Sequence, residues 1–137
     1  MKGRQPWVSA RAGAAVAILA TVSGCGSSQD TPAETAATSF YRALDTGDET
    51  GACAWLAPKT REELEKSSSK DCPNALRAET VTSPGAFRDV TVYGTMAQIR
   101  YAEETVFVTR FRSGWRVMAL GCTPQAVGPY DCEIKGA

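Results

Sequence analysis

The chain contains no histidine. That removes the commonest general base and every Ser-His or Cys-His nucleophile pair. An enzyme is therefore disfavoured, with carboxylate chemistry as its remaining route. No acid stands in a motif that marks it as catalytic. Asp45 and Asp48 read as helix-end residues, and Asp89 alternates away from Val90 toward solvent. No catalytic residue is assigned. There is no C-x-x-C pair either, and zinc sites usually show such tight pairs, so disulfides are favoured over the alternative of a metal site. No metal and no cofactor is expected. A strong basic excess is also missing. The only charges in the first 24 residues are Lys2, Arg4 and Arg11. The 15 basic residues less these three leave 12, against 15 acids, a net of −3. Such a balance has no electrostatic footprint for nucleic acid. Finally, no apolar run is long enough to span a bilayer. The uncharged stretch from Ala12 to Val22 is about half of the roughly 20 residues a spanning helix needs.

What that stretch does supply is an address. A basic start, a short apolar run and small residues at its end are the parts of a secretory signal peptide. No twin-arginine pair is present, so export of an unfolded chain is expected. Val22-Ser23-Gly24-Cys25 follows at the end of the run. This tetrapeptide resembles a bacterial lipobox: an aliphatic residue, two small residues and a cysteine. The resemblance implies cleavage before Cys25 and diacylglycerol on its sulfur, which makes residues 1–24 a signal peptide. Each buried methylene contributes about 0.8 kcal/mol, and stable anchoring takes more than one chain. The implied location is the extracytoplasmic face of the cell membrane, with the membrane itself as a partner. Residues 25–31 then form a short, lipidated, flexible tether, small and polar in composition.

Four cysteines remain: Cys53, Cys72, Cys122 and Cys132. An even number in an exported chain reads as a disulfide framework. Three pairings are open. We favour Cys53–Cys72 and Cys122–Cys132, because each pair is near in sequence. A loop of that size contributes about 3 kcal/mol in the chain-entropy model. A small domain with a small core gains from such staples.

The chain then divides by periodicity. Thr31 and Glu34 have capping-box spacing, with Pro32 at a first helical position. Ala33, Ala37, Phe40, Tyr41 and Leu44 repeat at helical spacing up to Gly47. Asp48 caps a second short helix through Cys53 and Leu56. Thr60 and Glu63 repeat the capping-box spacing and open a charged third helix, Arg61 to about Lys66. Cys72 begins a fourth, to Glu79. After Ser83-Pro84-Gly85 the period becomes two. Strands are expected over Phe87–Tyr93, Met96–Tyr101, Thr105–Arg112 and Trp115–Gly121, with Glu103-Glu104 as one turn and Ser113-Gly114 as another. Arg100, Arg110, Arg112 and Arg116 all fall on these strands. They read as a solvated face paired with acids across strands, since alternation interrupts an anion-binding patch. Residues 122–137 are expected as a disulfide-closed tail outside the sheet.

Helices first and an antiparallel sheet after them make an α+β plan, with N-terminal helices packed on one face of a curved sheet. Two stretches carry a second resemblance. Phe40-Tyr41-Arg42-Ala43-Leu44-Asp45-Thr46-Gly47-Asp48 is similar to the opening helix of the NTF2-like superfamily, and Gly114-Trp115-Arg116-Val117 to its closing strand. The match spans residues 32–121. A small hairpin that many members carry among their helices has no counterpart here. The resemblance implies a cone-like interior, which Phe40, Tyr41, Phe107 and Trp115 would line; the alternative, which we favour, is that these aromatics simply are the core. It also implies that pairing into a homodimer through the sheet is open.

The superfamily includes ketosteroid isomerase, SnoaL-like cyclases, ligand binders and interaction modules, so the fold alone does not choose among them. The expected function is a membrane-anchored, non-enzymatic interaction module of the cell envelope, with an envelope protein as partner. The alternatives are a carrier of small hydrophobic ligands and a carboxylate-based isomerase or cyclase. The last requires a buried acid with a raised pKa.

Overall fold

The computed structural model describes Gly3 and residues 28–136. The leader and Cys25, to which the signal-peptide and lipidation expectations apply, lie outside the described residues. Among the described residues, no helix is long and apolar enough to cross a membrane.

Four helices come first: α1 (Asp30–Asp45), α2 (Glu49–Trp55), α3 (Pro58–Ser68) and α4 (Cys72–Ala78). Five strands follow: β1 (Phe87–Tyr93), β2 (Met96–Tyr101), β3 (Thr105–Phe111), β4 (Gly114–Thr123) and β5 (Asp131–Lys135). The strands form one antiparallel sheet in sequence order. The class is α+β.

The helix α1 lies against this sheet through Ala33, Ala36, Ala37, Phe40 and Tyr41, all buried. The small alanines bring the backbone close, and Phe40 fills the space beyond them. A fully buried ring of this size contributes about 1.5–3 kcal/mol. Gly47 ends the helix with φ 72°. Its amide donates to Leu44 O, and the Asp48 amide donates to Ala43 O at 2.8 Å. These two bonds form a Schellman ending, which needs the left-handed residue that glycine supplies. Asp48 then caps α2 by accepting from the Gly51 amide at 2.8 Å.

Both expected capping boxes are absent. Helix α1 starts two residues early, at Asp30, and Thr31 sits inside it, its carbonyl accepting from the Thr35 hydroxyl. Helix α3 starts at Pro58, because proline suits a first-turn position that needs no amide donor. That puts Thr60 within the helix. Its buried hydroxyl donates instead to Met118 O at 2.8 Å, tying α3 to β4. The α2–α3 junction fixes the same edge, where the Ala57 amide donates to Val117 O at 2.7 Å.

The sheet has an inner face built from cross-strand rows. Val90, Ile99 and Val106 form one row, and Val92, Ala97 and Val108 the next. Val108 continues to Val117 on β4. The opposite face carries Asp89, Arg100 and Thr105, then Thr91, Gln98 and Phe107, then Tyr93, Met96 and Thr109. The segment expected as a separate tail belongs to the sheet. Cys122 and Thr123 complete β4, and β5 pairs Ile134 with Leu120 and Cys132 with Cys122. Ile134 is buried in the common core. Disulfides join Cys53 to Cys72 and Cys122 to Cys132.

Candidate functional site

The four aromatic residues expected to line a cone do not share a cavity. Phe40 and Trp115 are 0% and 4% exposed and pack in the core with Ile99, Val106 and Val108. Phe107 is on the other side of the sheet. Val106 and Val108 take the inward positions, and a period of two sends the residue between them outward. There the Phe107 ring meets Tyr130 edge-on at 5.1 Å. The Gln98 amide donates to the Tyr130 hydroxyl at 2.9 Å. Phe107 is therefore removed from the set. Two of the buried rings reach a polar side chain: Trp115 Nε1 donates to Gln29 Oε1, and the Tyr41 hydroxyl reaches a charged group.

That group is Glu104. The Tyr41 hydroxyl donates a short hydrogen bond to Glu104 Oε1. The Gly121 amide is near enough to this carboxylate to favour its charged form. Gly121 has φ 63° and lies against Glu133, so an added Cβ would come within 2.7 Å of Glu133 Oε2. Only glycine fits there. Burial raises the pKa of Glu104, the Tyr41 hydrogen bond and the nearby Gly121 amide offset part of that rise, and the nearby Glu133 charge adds to it. Burial also drives the Tyr41 hydroxyl far above the ordinary tyrosine range, and the Glu104 charge pushes it further. The phenol stays protonated and the acid is reluctant to ionise.

Tyr101 extends the cluster. Its ring meets Tyr41 at 6.0 Å and Phe87 at 6.1 Å, both edge-on. Its buried hydroxyl makes no hydrogen bond of normal geometry. The Thr38 side chain is near enough to lower its pKa, but burial dominates and raises it. Beside these rings is an open cleft of about 300 Å³ between α1 and the Ser83–Gly85 loop, with Thr38, Arg42 and Asp45 on its wall. Tyr41 and Tyr101 line it, while Glu104 stands behind Tyr41. The arrangement can hold a proton and offer phenolic hydrogen bonds at a cleft wall. Glu104 already accepts from Tyr41.

Sequence reasoning missed Glu104, because Glu103-Glu104 has the composition of a turn and nothing local marks one acid for burial. The other charged positions behave as surface groups. Arg100 holds Asp89 across strands in a forked pair and keeps its carboxyl below the usual range. Arg110 stacks over Trp115 at 5.8 Å, and Arg116 over Trp55 at 5.7 Å. All four cysteines of the described residues are in disulfides. Among the described residues, no group of three or more His, Cys, Asp or Glu side chains converges as metal ligands would. Comparison of the chain with protein-family models, with curated proteins and with solved structures finds no match.

Proposed function

We propose that this chain is a lipid-anchored, extracytoplasmic interaction module of the cell envelope, without an enzymatic activity of its own. The observation that carries the reading is the filled interior. Phe40 and Trp115, the rings a cone would expose, are core residues packed against the sheet. With its interior closed, such a domain has its outer surface left for recognition. Two further features support the reading. Val22-Ser23-Gly24-Cys25 resembles a lipobox, and both disulfides suit an oxidising compartment. The helices-first α+β order is compatible with an NTF2-like fold. The four helices follow one another without the small hairpin that many members carry.

A second reading rests on Glu104. It is a partly buried acid with a raised pKa beside two tyrosines, which is what a carboxylate-based isomerase or cyclase would require. Its carboxylate already accepts from Tyr41, and it does not line the cleft. The interaction reading is therefore the stronger one.

Native mass spectrometry of the chain, exported and processed by a bacterial host, tests both. We expect the mass of the processed, oxidised chain with diacylglycerol and no retained small molecule. A reproducible added mass of a few hundred daltons would move the assignment to a ligand carrier or an enzyme.

A further inference from the structure

The domain has two unlike ends. At one end, two hairpin turns come together. The Arg110 amide of the β3–β4 hairpin donates to Thr95 O in the β1–β2 turn at 2.7 Å, and the Thr109 hydroxyl shares that acceptor. This end exposes Tyr93, Met96 and Phe111, which are 62%, 39% and 41% accessible. Around them are Arg110 and Arg112, both exposed, and Arg116, half-buried. Two acids of the neighbouring helix α3 stand near Phe111 and Arg116, and both are matched, Glu62 by Lys59 and Glu65 by Arg61, while Glu63 lies apart beside Ile134 and Lys135. Asp30, the first residue of α1, is the other acid close by in the chain. The far end carries Glu103 and Asp131, both exposed, with Glu104 behind them, Asp45 and Arg42 on the cleft wall, and Phe87 exposed beside Tyr101.

The chain enters the domain at the arginine-rich end. Trp115 Nε1 donates to Gln29 Oε1 at 3.2 Å, with Arg110 stacked on the same indole. Gln29 is four residues from Cys25. At about 3.3–3.6 Å per extended residue, that span reaches at most roughly 14 Å. A lipid on Cys25 would hold this end, and no other, against the bilayer.

We propose that the Gln29 end of the domain docks on an anionic phospholipid surface, through Arg110, Arg112 and Arg116 around Tyr93, Met96 and Phe111. The proposal rests on the lipid-anchor reading for its geometry. Its chemistry is independent of it. Arginines meet lipid phosphates, each contributing about a factor of five in affinity near such a surface. Tyrosine and phenylalanine seat at the headgroup level, where an apolar ring can leave water. A lipid anchor with a basic patch is a two-signal attachment. It also fixes which way the domain points, with the acidic end and the Tyr41 cleft turned outward.

The test uses the full chain as processed by its host, added to vesicles of phosphatidylglycerol with phosphatidylcholine, or of phosphatidylcholine alone. Flotation and intact mass report the anchor. Hydrogen exchange of amides 93–96 and 110–116 reports docking. We expect flotation on both vesicle types, and exchange at these amides slowed about fivefold or more on the anionic vesicles only. Salt at 1 M, where screening acts within about 3 Å, should remove the protection. Arg112→Glu and Tyr93→Ser should each reduce it while flotation persists. Unchanged exchange in the β2–β3 core shows that the variants are folded. Equal exchange on both vesicle types overturns the proposal, and so does protection that survives Arg112→Glu. If the chain carries no lipid and does not float, the anchor reading fails. Docking is then decided by pelleting with anionic vesicles: salt-sensitive pelleting upholds it and none overturns it.

Discussion

Glu104 shows how a single side chain acquires a property that its neighbours in sequence do not announce. Burial raises its folded-state pKa above the unfolded value of about 4.3. Below that pH both states are protonated, and the group contributes nothing to the pH dependence. As pH rises through the window between the two values, the unfolded chain releases its proton first, so stability falls. Above the folded pKa the loss is complete. Glutamine at this position keeps an acceptor for the Tyr41 hydroxyl and removes the charge. Glu104→Gln should therefore gain in melting temperature over the parent between pH 4 and pH 8. Asp89, Asp71 and Glu49 have lowered pKa values and the opposite slope, but they are exposed and common to both proteins. Their effects cancel in the comparison. Circular dichroism melts across that range are sufficient. A gap that stays constant with pH would mean that Glu104 is solvated as well as an ordinary surface acid. Tyr41 adds a separate decline above about pH 10, because its folded pKa is raised and the unfolded chain ionises first.

Among elements, the weakest is α4. It runs for 7 residues and buries Cys72, Ala75 and Leu76. Its N-cap Asp71 makes no side-chain capping bond, although a Glu65 carboxylate oxygen accepts from the Cys72 amide. An isolated helix this short does not persist in water. The Cys53–Cys72 bridge closes a sequence separation of 19 and fastens α4 to α2, and an Arg77–Glu49 pair crosses the same contact. Replacing both cysteines by serine should cost about 3 kcal/mol in the chain-entropy model. The loss should be uneven. Amides of α4 should exchange much faster than those of β2 and β3, as hydrogen exchange can show. Uniform loss across the domain would mean that the bridge acts on the whole fold and not on this helix. The elements also divide by how well a sequence can announce them. Asp48 and Gly47 were legible because a cap and a left-handed ending are local chemistry. The strands β1 to β4 were legible because alternation and turn residues repeat along them. Thr31 and Thr60 were misread because Thr-x-x-Glu is satisfied by spacing alone, while Pro58 and the carbonyl of Met118 decided what Thr60 does. The fifth strand escaped notice because Asp131–Lys135 is short and charged, and only its pairing with β4 reveals it.

For the whole molecule, the question is what the outer face of the sheet is for. An NTF2-like resemblance leaves pairing through that face open, and the side chains on it argue otherwise. Its central rows are Asp89, Arg100 and Thr105, and Thr91, Gln98 and Phe107. Asp89 and Arg100 satisfy each other, Gln98 is bonded to Tyr130, and the Phe107 ring is capped by Tyr130. Burying these rows against a second copy would remove water from groups that gain no new partner, at about 1–3 kcal/mol for each one left unsatisfied. Three of the exposed apolar residues, Tyr93, Met96 and Phe111, are gathered at one end, while Phe87 and Val127 stand apart from them, and none forms an apolar centre on the face. A stable interface buries on the order of 800 Å² per partner with an apolar centre, and this face has no such centre. Sedimentation equilibrium of the processed chain in detergent, corrected for bound detergent, should therefore give a monomer mass at micromolar concentration. A dimer that survives Phe107→Ser and Tyr130→Ser would mean pairing through another surface. A dimer abolished by them would mean that Tyr130 swings off Phe107 to admit a partner. In a monomer, Phe107 and Tyr130 cover each other on the outer face of the sheet and need no partner there.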